Sequence, residues 1–368
     1  MSGREDLMLA ALKEASRAIG RTRPNPVVGC VIARGERIVG VGHHVRAGTA
    51  HAEIVALARA GKLARGADAY VTLEPCNHWG RTGPCTEAII AAGVKRVFVA
   101  MRDPNPIVNG RGIRRLAAAG IKVEVGLLEA ECRRLNEAYT RYICDGRPFV
   151  VVKIAQSLDG RVATSTGQSR WITSYSARGT AHLLRNDLDA ILVGRGTVVA
   201  DDPILTCRIR GGRDPIRIVL DTMARIPPAA KVVGIARRSA APTWIVVGPN
   251  APARRRLALE RAGAETLVCR VRHGRIDVID LMAHLRRREL LSVLVEGGPS
   301  VIGSFFDAGL VDKLYMYVSW LIIGGVEARA SVGGIGIAEL ADAWRLEPCY
   351  WNAGSDVLSV IGYPRRRR

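Results

Sequence analysis

Three short segments, His51-Ala52-Glu53, Glu74-Pro75-Cys76 and Pro84-Cys85, place one imidazole, two thiols and a separate carboxylate close together in the chain. The fold must bring His51, Cys76 and Cys85 to one point if they are to share an ion. Two thiolates and a neutral imidazole make three ligands of a zinc site, leaving a fourth position open. A closed structural site would need another Cys or His, and His78 is the only local candidate. An open position beside a non-ligand Glu suits water activation, since zinc lowers the pKa of bound water to roughly 7. The H-x-E…P-C pattern is the one used to deaminate nucleobases hydrolytically, with Glu53 shuttling protons. Helical apolar spacing after His51 and from Cys85 onward puts these groups at helix N-termini. The partial positive charge there favours thiolate.

Length and composition bound the rest. At 368 residues with 48% hydrophobic residues, the chain holds two ordinary α/β domains and shows no disordered block. No apolar run reaches membrane-spanning length, so no membrane partner is expected. Eight cysteines without a secretory signal point to a reducing, cytoplasmic setting. The net charge of +20 is spread along the chain, mostly as Arg, without an aromatic-interleaved basic stripe. It suits phosphorylated small molecules, and no nucleic-acid partner is expected.

Periodicity predicts a helix over 4–19, strands over 27–33 and 37–42, the His51 helix and a strand over 69–73. The Cys85 helix, a strand over 96–100, a helix from Ile113, a strand over 122–125 and a helix over 128–142 follow. Asp145-Gly146-Arg147-Pro148 is the strongest break, dividing 1–146 from 147–368. The second part reads as strands over 149–155, 190–193, 216–220, 243–247, 266–269 and 292–295, with helices over 176–187 and 253–262 among them. This is another layered α/β domain. No G-x-G-x-x-G follows its first strand, so a Rossmann reading is unsupported. Two strand-ending turns, Gly194-Arg195-Gly196-Thr197 and Glu296-Gly297-Gly298-Pro299-Ser300, could admit a phosphate.

Pro24-Asn25-Pro26-Val27-Val28-Gly29-Cys30-Val31, Thr72-Leu73-Glu74-Pro75-Cys76, Gly80-Arg81-Thr82 and Ala100-Met101-Arg102-Asp103-Pro104-Asn105-Pro106 closely resemble one half of the bifunctional riboflavin-biosynthesis deaminase/reductase family. Eight residues separate Cys76 from Cys85, longer than the general P-C-x-x-C, and Asn77 and Gly83 depart from the family's usual text there. Lys153-Ile154-Ala155-Gln156-Ser157-Leu158-Asp159-Gly160, Ser169-Arg170-Trp171-Ile172-Thr173, Asp201-Asp202-Pro203-Ile204-Leu205-Thr206 and Glu296-Gly297-Gly298 resemble the other half. Arg195, Thr222 and Trp320 replace residues more usual in the family.

The resemblance implies a cytidine-deaminase-like α/β/α domain followed by a dihydrofolate-reductase-like α/β domain. It implies zinc and NADPH as cofactors, and it sets the loops bearing Asn25 and Asp103 beside the pyrimidine. Ala155, Trp171, Thr197, Asp201, Thr222, Gly298, Pro299, Ser300, Val301, Ile302, Gly303 and Ser304 would contact NADPH. Ser169, Arg185, Leu205, Arg208 and Glu296 would contact a phosphoribosyl pyrimidine, with Arg185 and Arg208 anchoring its phosphate. From the residues alone, a surface ion pair explains Arg185 equally well, core filling explains Trp171, and a turn explains Asp201. The resemblance also implies a homo-oligomer formed through the second domain. Two other readings compete: a zinc deaminase of another nucleobase or of tRNA joined to a different NADPH reductase, and a zinc-stabilised nucleic-acid-binding protein.

Overall fold

The computed structural model describes residues 3–79, 83–169, 172 and 175–366, and the chain divides into two compact units, Met1–Arg147 and Pro148–Arg368.

The first unit runs α1 (Gly3–Ser16), β1 (Gly29–Arg34), β2 (Arg37–His43), α2 (Ala52–Ala60), β3 (Asp68–Val71), α3 (Cys85–Ala91), β4 (Arg96–Val99), α4 (Arg111–Ala118) and β5 (Lys122–Val125). Two short helices, α5 (Glu129–Leu135) and α6 (Glu137–Asp145), close it. The sheet order is β2-β1-β3-β4-β5; β1 pairs antiparallel with both β2 and β3, and the β3–β4 and β4–β5 pairs are parallel. Alternate strand residues serve opposite faces. Ile32, Ala69, Val71, Val97 and Val99 pack with Ala52, Ala56 and Ile89 on one side. Val31, Tyr70 and Phe98 pack with Leu7, Met8 and Cys132 on the other. Helix α2 sits unusually close to β2. A Cβ on Gly42 would lie 2.4 Å from the Ala52 carbonyl oxygen, so glycine there and alanine along α2 set the depth of the helix start.

The continuous helix expected over 128–142 is broken at Asn136, the junction of α5 and α6. The Asn136 side-chain amide pairs with a distant backbone instead. Oδ1 accepts from Val27 N at 2.8 Å and Nδ2 donates to Val27 O at 2.9 Å. That pairing also explains why β1 begins at Gly29, after the expected position. Helical periodicity continues through a residue whose side chain is needed elsewhere.

The second unit contains β6 (Phe149–Gln156), β7 (Arg161–Ala163), α7 (Tyr175–Asp187), β8 (Ala190–Gly194), α8 (Arg195–Asp201), β9 (Ile216–Leu220), α9 (Lys231–Gly234), β10 (Thr243–Val247), α10 (Ala253–Arg261) and β11 (Glu265–Val268). After a β12–β13 hairpin (Val271–Arg272, Arg275–Ile276) come α11 (Val278–Arg287), β14 (Ser292–Val295), α12 (Pro299–Asp307), β15 (Lys313–Ser319), β16 (Arg329–Ala330), β17 (Arg345–Ala353) and β18 (Val357–Arg365). Nine strands form one sheet in the order β11-β10-β9-β8-β14-β6-β15-β18-β17, parallel from β11 to β15 and antiparallel at β18 and β17. Gly194-Arg195-Gly196-Thr197, expected as a turn, instead starts α8 with Gly194 at its N-cap. Among the described residues no helix is long and apolar enough to cross a membrane.

Candidate active sites

In the first unit His51 is the N-cap of α2, Cys85 is the first residue of α3, and Cys76 lies in the loop after β3. Each element start is fixed by buried packing, so the three side chains meet. His51 Nδ1 is 3.1 Å from Cys85 Sγ and 3.5 Å from Cys76 Sγ, and the three donor atoms lie within 4.8 Å of one another. Two sulfurs and one nitrogen at this spacing fit zinc. The Cys85 backbone N–H donates to Cys76 Sγ at 3.4 Å. The hydrogen bond from the Cys85 thiol pulls Cys76 below the ordinary thiol range, and the same bond holds Cys85 above it. A lowered thiol pKa is the direction that favours the thiolate form a metal ligand needs.

Glu53, in the first turn of α2, is 3% exposed, and burial pushes its carboxyl up to about 7. It stands beside the ligand cluster and is in hydrogen-bond contact with Cys85.

His44 and Asp103 are among the other buried polar side chains of this unit. His44, which the sequence does not single out, is buried; its Nδ1 donates to Ala50 O at 3.2 Å, its Nε2 accepts from Asn25 Nδ2 at 3.0 Å, and its ring meets His51 edge-on at 5.3 Å. Burial lowers its pKa, which favours the neutral ring. The pair His43-His44 at a strand end was the available signal for it. Buried Asp103, from the loop that the family resemblance sets beside the pyrimidine, accepts from Asn105 N at 2.9 Å and from the Tyr139 hydroxyl at 3.1 Å. Burial pushes it up to about 6.

The second unit has a cavity of about 1070 Å³ over the ends of β6, β8, β9 and β14. Ala155, Ser169, Thr197, Asp201, Thr222, Glu296, Gly298, Pro299, Ser300, Val301, Ile302 and Ser304 line it. Gly303 is absent from the lining and instead packs against Gly333, whose oxygen a Cβ there would meet at 2.1 Å. Trp171 and the Gly80-Arg81-Thr82 segment lie outside the described residues. Gly298 caps α12, Pro299 opens it, and a Cβ on Gly196 or Gly298 would meet nothing within 4 Å. Exposed backbone at two helix starts leaves N–H groups that can take an extended anionic group.

Glu296 sits at the heart of a charge cluster. Arg185 Nη2 is 2.6 Å from Glu296 Oε2, and Lys153 Nζ is 3.7 Å from Oε1. Burial opposes the Glu296 charge, but Lys153 and Arg185 outweigh it and hold the carboxyl below its ordinary range. Glu296 Oε1 and Arg185 Nε are buried without hydrogen-bond partners, so both can receive a polar ligand. Arg185 also donates to Thr206 O at 3.2 Å; its guanidinium is thus committed to Glu296 and the chain rather than standing free. Arg208 is exposed and has no acid partner among the described residues. Leu205 is buried with φ of 60°, a left-handed conformation that costs a non-glycine residue of order 1–3 kcal/mol and marks a constrained segment.

A second trio, Cys269, Asp280 and His284, also has its donor atoms within 4.8 Å of one another. Both Asp280 oxygens already accept from Arg270, at 2.8 and 3.1 Å, and burial pushes the Cys269 thiol up to about 12. This is an ion-pair cluster.

Comparisons with known proteins fit this geometry. Residues 1–101 match the cytidine and deoxycytidylate deaminase zinc-binding region, and residues 148–356 match the RibD C-terminal domain. The chain is 44% identical to the riboflavin biosynthesis protein RibD of Bacillus amyloliquefaciens, covering 93% of this chain and 91% of that one. It is 42% identical to RibD of Escherichia coli (strain K12), covering 92% and 93%. The crystal structure of a diaminohydroxyphosphoribosylaminopyrimidine deaminase/5-amino-6-(5-phosphoribosylamino)uracil reductase from Thermotoga maritima superposes with a TM-score of 0.86 at 33% identity, covering 99% of each chain. An Acinetobacter baumannii RibD structure superposes with a TM-score of 0.87 at 34% identity, also covering 99% of each chain. With a deaminase zinc region joined to a reductase domain in one chain, this protein belongs to the RibD family of bifunctional deaminase/reductase enzymes of riboflavin biosynthesis.

Proposed function

We propose that the chain carries out two successive steps on one phosphoribosyl pyrimidine. The first unit replaces the 2-amino group of 2,5-diamino-6-ribosylamino-4(3H)-pyrimidinone 5′-phosphate by oxygen and releases ammonia. The second reduces the ribosyl group to give 5-amino-6-ribitylamino-uracil 5′-phosphate. The convergence of His51, Cys76 and Cys85 beside buried Glu53 carries this reading.

His51, Cys76 and Cys85 would hold zinc, which would supply the Lewis acidity that makes water nucleophilic near neutral pH. Glu53 would take one proton from the attacking water and pass it to the adjacent ring nitrogen, then move the second proton, from the hydroxyl so added, to the departing amine as the C–N bond breaks. Neutral His44, fixed by Ala50 and Asn25, orients the Asn25 amide toward the pyrimidine. In the second unit the cavity lined by Ala155, Thr197 and the α12 start would hold NADPH, which would supply the hydride for the sugar C1′. The α12 start holds the cofactor's phosphates, while Glu296 and Arg185 orient the sugar through their open hydrogen-bonding atoms. Exposed Arg208 reaches the substrate phosphate.

The test is an assay with the phosphoribosyl pyrimidine, zinc and NADPH, reading ammonia and NADPH oxidation separately. Both signals are expected, with NADPH oxidation depending on prior ammonia release. Ammonia from cytidine or tRNA in its place would replace this reading by another deaminase function.

We also place the enzyme in the cytoplasm, on the support of eight free cysteines. We further propose that it assembles as a homo-oligomer through β17. That strand lies at the sheet edge with Tyr350 and Trp351 exposed, close to where Trp320 Nε1 donates to Gly354 O at 3.2 Å. An unpaired edge with exposed aromatics invites a second copy. Light scattering should give a multiple of 39.7 kDa that Trp351→Glu shifts toward one chain mass. A native protein of single-chain mass at micromolar concentration would remove the proposal.

A further inference from the structure

Glu74 is 4% exposed and follows the strand that leads to Cys76, yet it is neither a metal ligand nor the proton carrier. Its carboxylate is taken up by four backbone amides. Oε1 accepts from Gly112 N at 3.0 Å and Ile113 N at 3.3 Å. Oε2 accepts from Gly110 N at 2.9 Å and Asp103 N at 3.3 Å. The Glu74 backbone N–H donates to Met101 O at 3.0 Å. One side chain therefore joins three pieces: the strand end that delivers Cys76, the start of the Asp103-Pro104-Asn105-Pro106 loop, and the first turn of α4.

The fit is tight. A Cβ on Gly112 would fall 2.0 Å from Pro75 O, so α4 rests directly on the residue between Glu74 and Cys76. Asp103, held through its amide by Glu74, is anchored from its side chain by the Tyr139 hydroxyl at 3.1 Å. The loop that follows β4 and the loop that bears the metal ligand are thus spaced by a single buried carboxylate. Charge-assisted hydrogen bonds to four amides are a strong, directional constraint of the sort a preorganised site needs.

We propose that Glu74 is a positioning residue for deamination: it sets the 103–110 loop against the Cys76 loop, and so sets the width of the pocket that receives the pyrimidine. The inference rests on the deaminase reading of the first unit. Glutamine at this position keeps the shape but turns an NH2 group toward two of the four amides. It should let the loop move without removing a ligand or the proton carrier.

The test uses the full-length zinc enzyme. Glu74→Gln should raise KM for the phosphoribosyl pyrimidine about tenfold or more, which is about 1.4 kcal/mol. Its kcat should stay within a few-fold of native, zinc at one per chain, and the NADPH-dependent half unchanged. Glu74→Asp, which keeps charge but shortens reach, should fall between the two. Unchanged KM in a folded, zinc-loaded Glu74→Gln protein would overturn the proposal, as would a KM and kcat loss that tracks loss of zinc. If Glu74→Gln does not fold, amide exchange of the native enzyme decides. The amides of Asp103, Gly110, Gly112 and Ile113 should be protected as well as those of β3, and exchange at loop rates would overturn it. Native enzyme releasing no ammonia would instead refute the deaminase reading itself.

Discussion

Glu53→Gln should abolish ammonia release, with a loss of at least about 10²–10⁴ in kcat, the range expected for removing a general acid–base. Zinc should remain bound, because glutamine alters none of the three ligands. Glu53 lies in the first turn of α2, is 3% exposed, and is pushed up to about 7 by burial. A carboxyl near neutrality can both take a proton from water and return one to an amine. Glutamine fills the same space and can do neither. Because the substitution replaces a buried ionisable group by a neutral one, the melting temperature should hold or rise. NADPH oxidation with the already deaminated substrate should be unaffected. Retained deamination in a zinc-loaded Glu53→Gln protein would remove Glu53 from its role.

In the other unit, Glu296→Gln should lower kcat/KM for NADPH oxidation by about 10²-fold or more, close to 2.7 kcal/mol of lost transition-state stabilisation. Glu296 is buried between Arg185 at 2.6 Å and Lys153 at 3.7 Å. Neutralising it leaves Arg185, and Lys153 in the cavity wall, without their shared counter-charge. Breaking a buried pair in this way costs about 3–5 kcal/mol. Arg185 would then lose the partner that sets its orientation. Ammonia release should be unchanged, since this cluster belongs wholly to the second unit. Steady-state constants equal to those of the native enzyme would show that Glu296 is structural only.

Much of the first site is legible in the amino-acid sequence, and the reason is chemical. His51, Cys76 and Cys85 are rare ligand types in a spacing that few unrelated demands produce, and helical periodicity tells where His51 and Cys85 sit. Strands β1, β3 and β4 are readable because their apolar residues are buried on both faces. The break at Asn136 is not, because its cause lies in the backbone of Val27. Glu74 is silent for the same reason: its partners are backbone amides, which carry no side-chain signature. Lys153, Arg185 and Glu296 come from β6, α7 and the end of β14, so only the sheet order brings them together. The antiparallel strands β17 and β18 escape notice because β17 is almost wholly exposed and carries Pro348 at a register shift. Exposure removes the apolar alternation, and proline speaks against a strand.

Zinc dependence of each activity, measured separately on one preparation, tests the central claim most directly. Stripping the metal with a chelator and restoring it in steps should make ammonia release rise in proportion to bound zinc and level off at one ion per chain. NADPH oxidation with the deaminated substrate should stay constant throughout. Ammonia release that persists in zinc-free protein, or that needs a second ion, would contradict an active site built from His51, Cys76, Cys85 and Glu53.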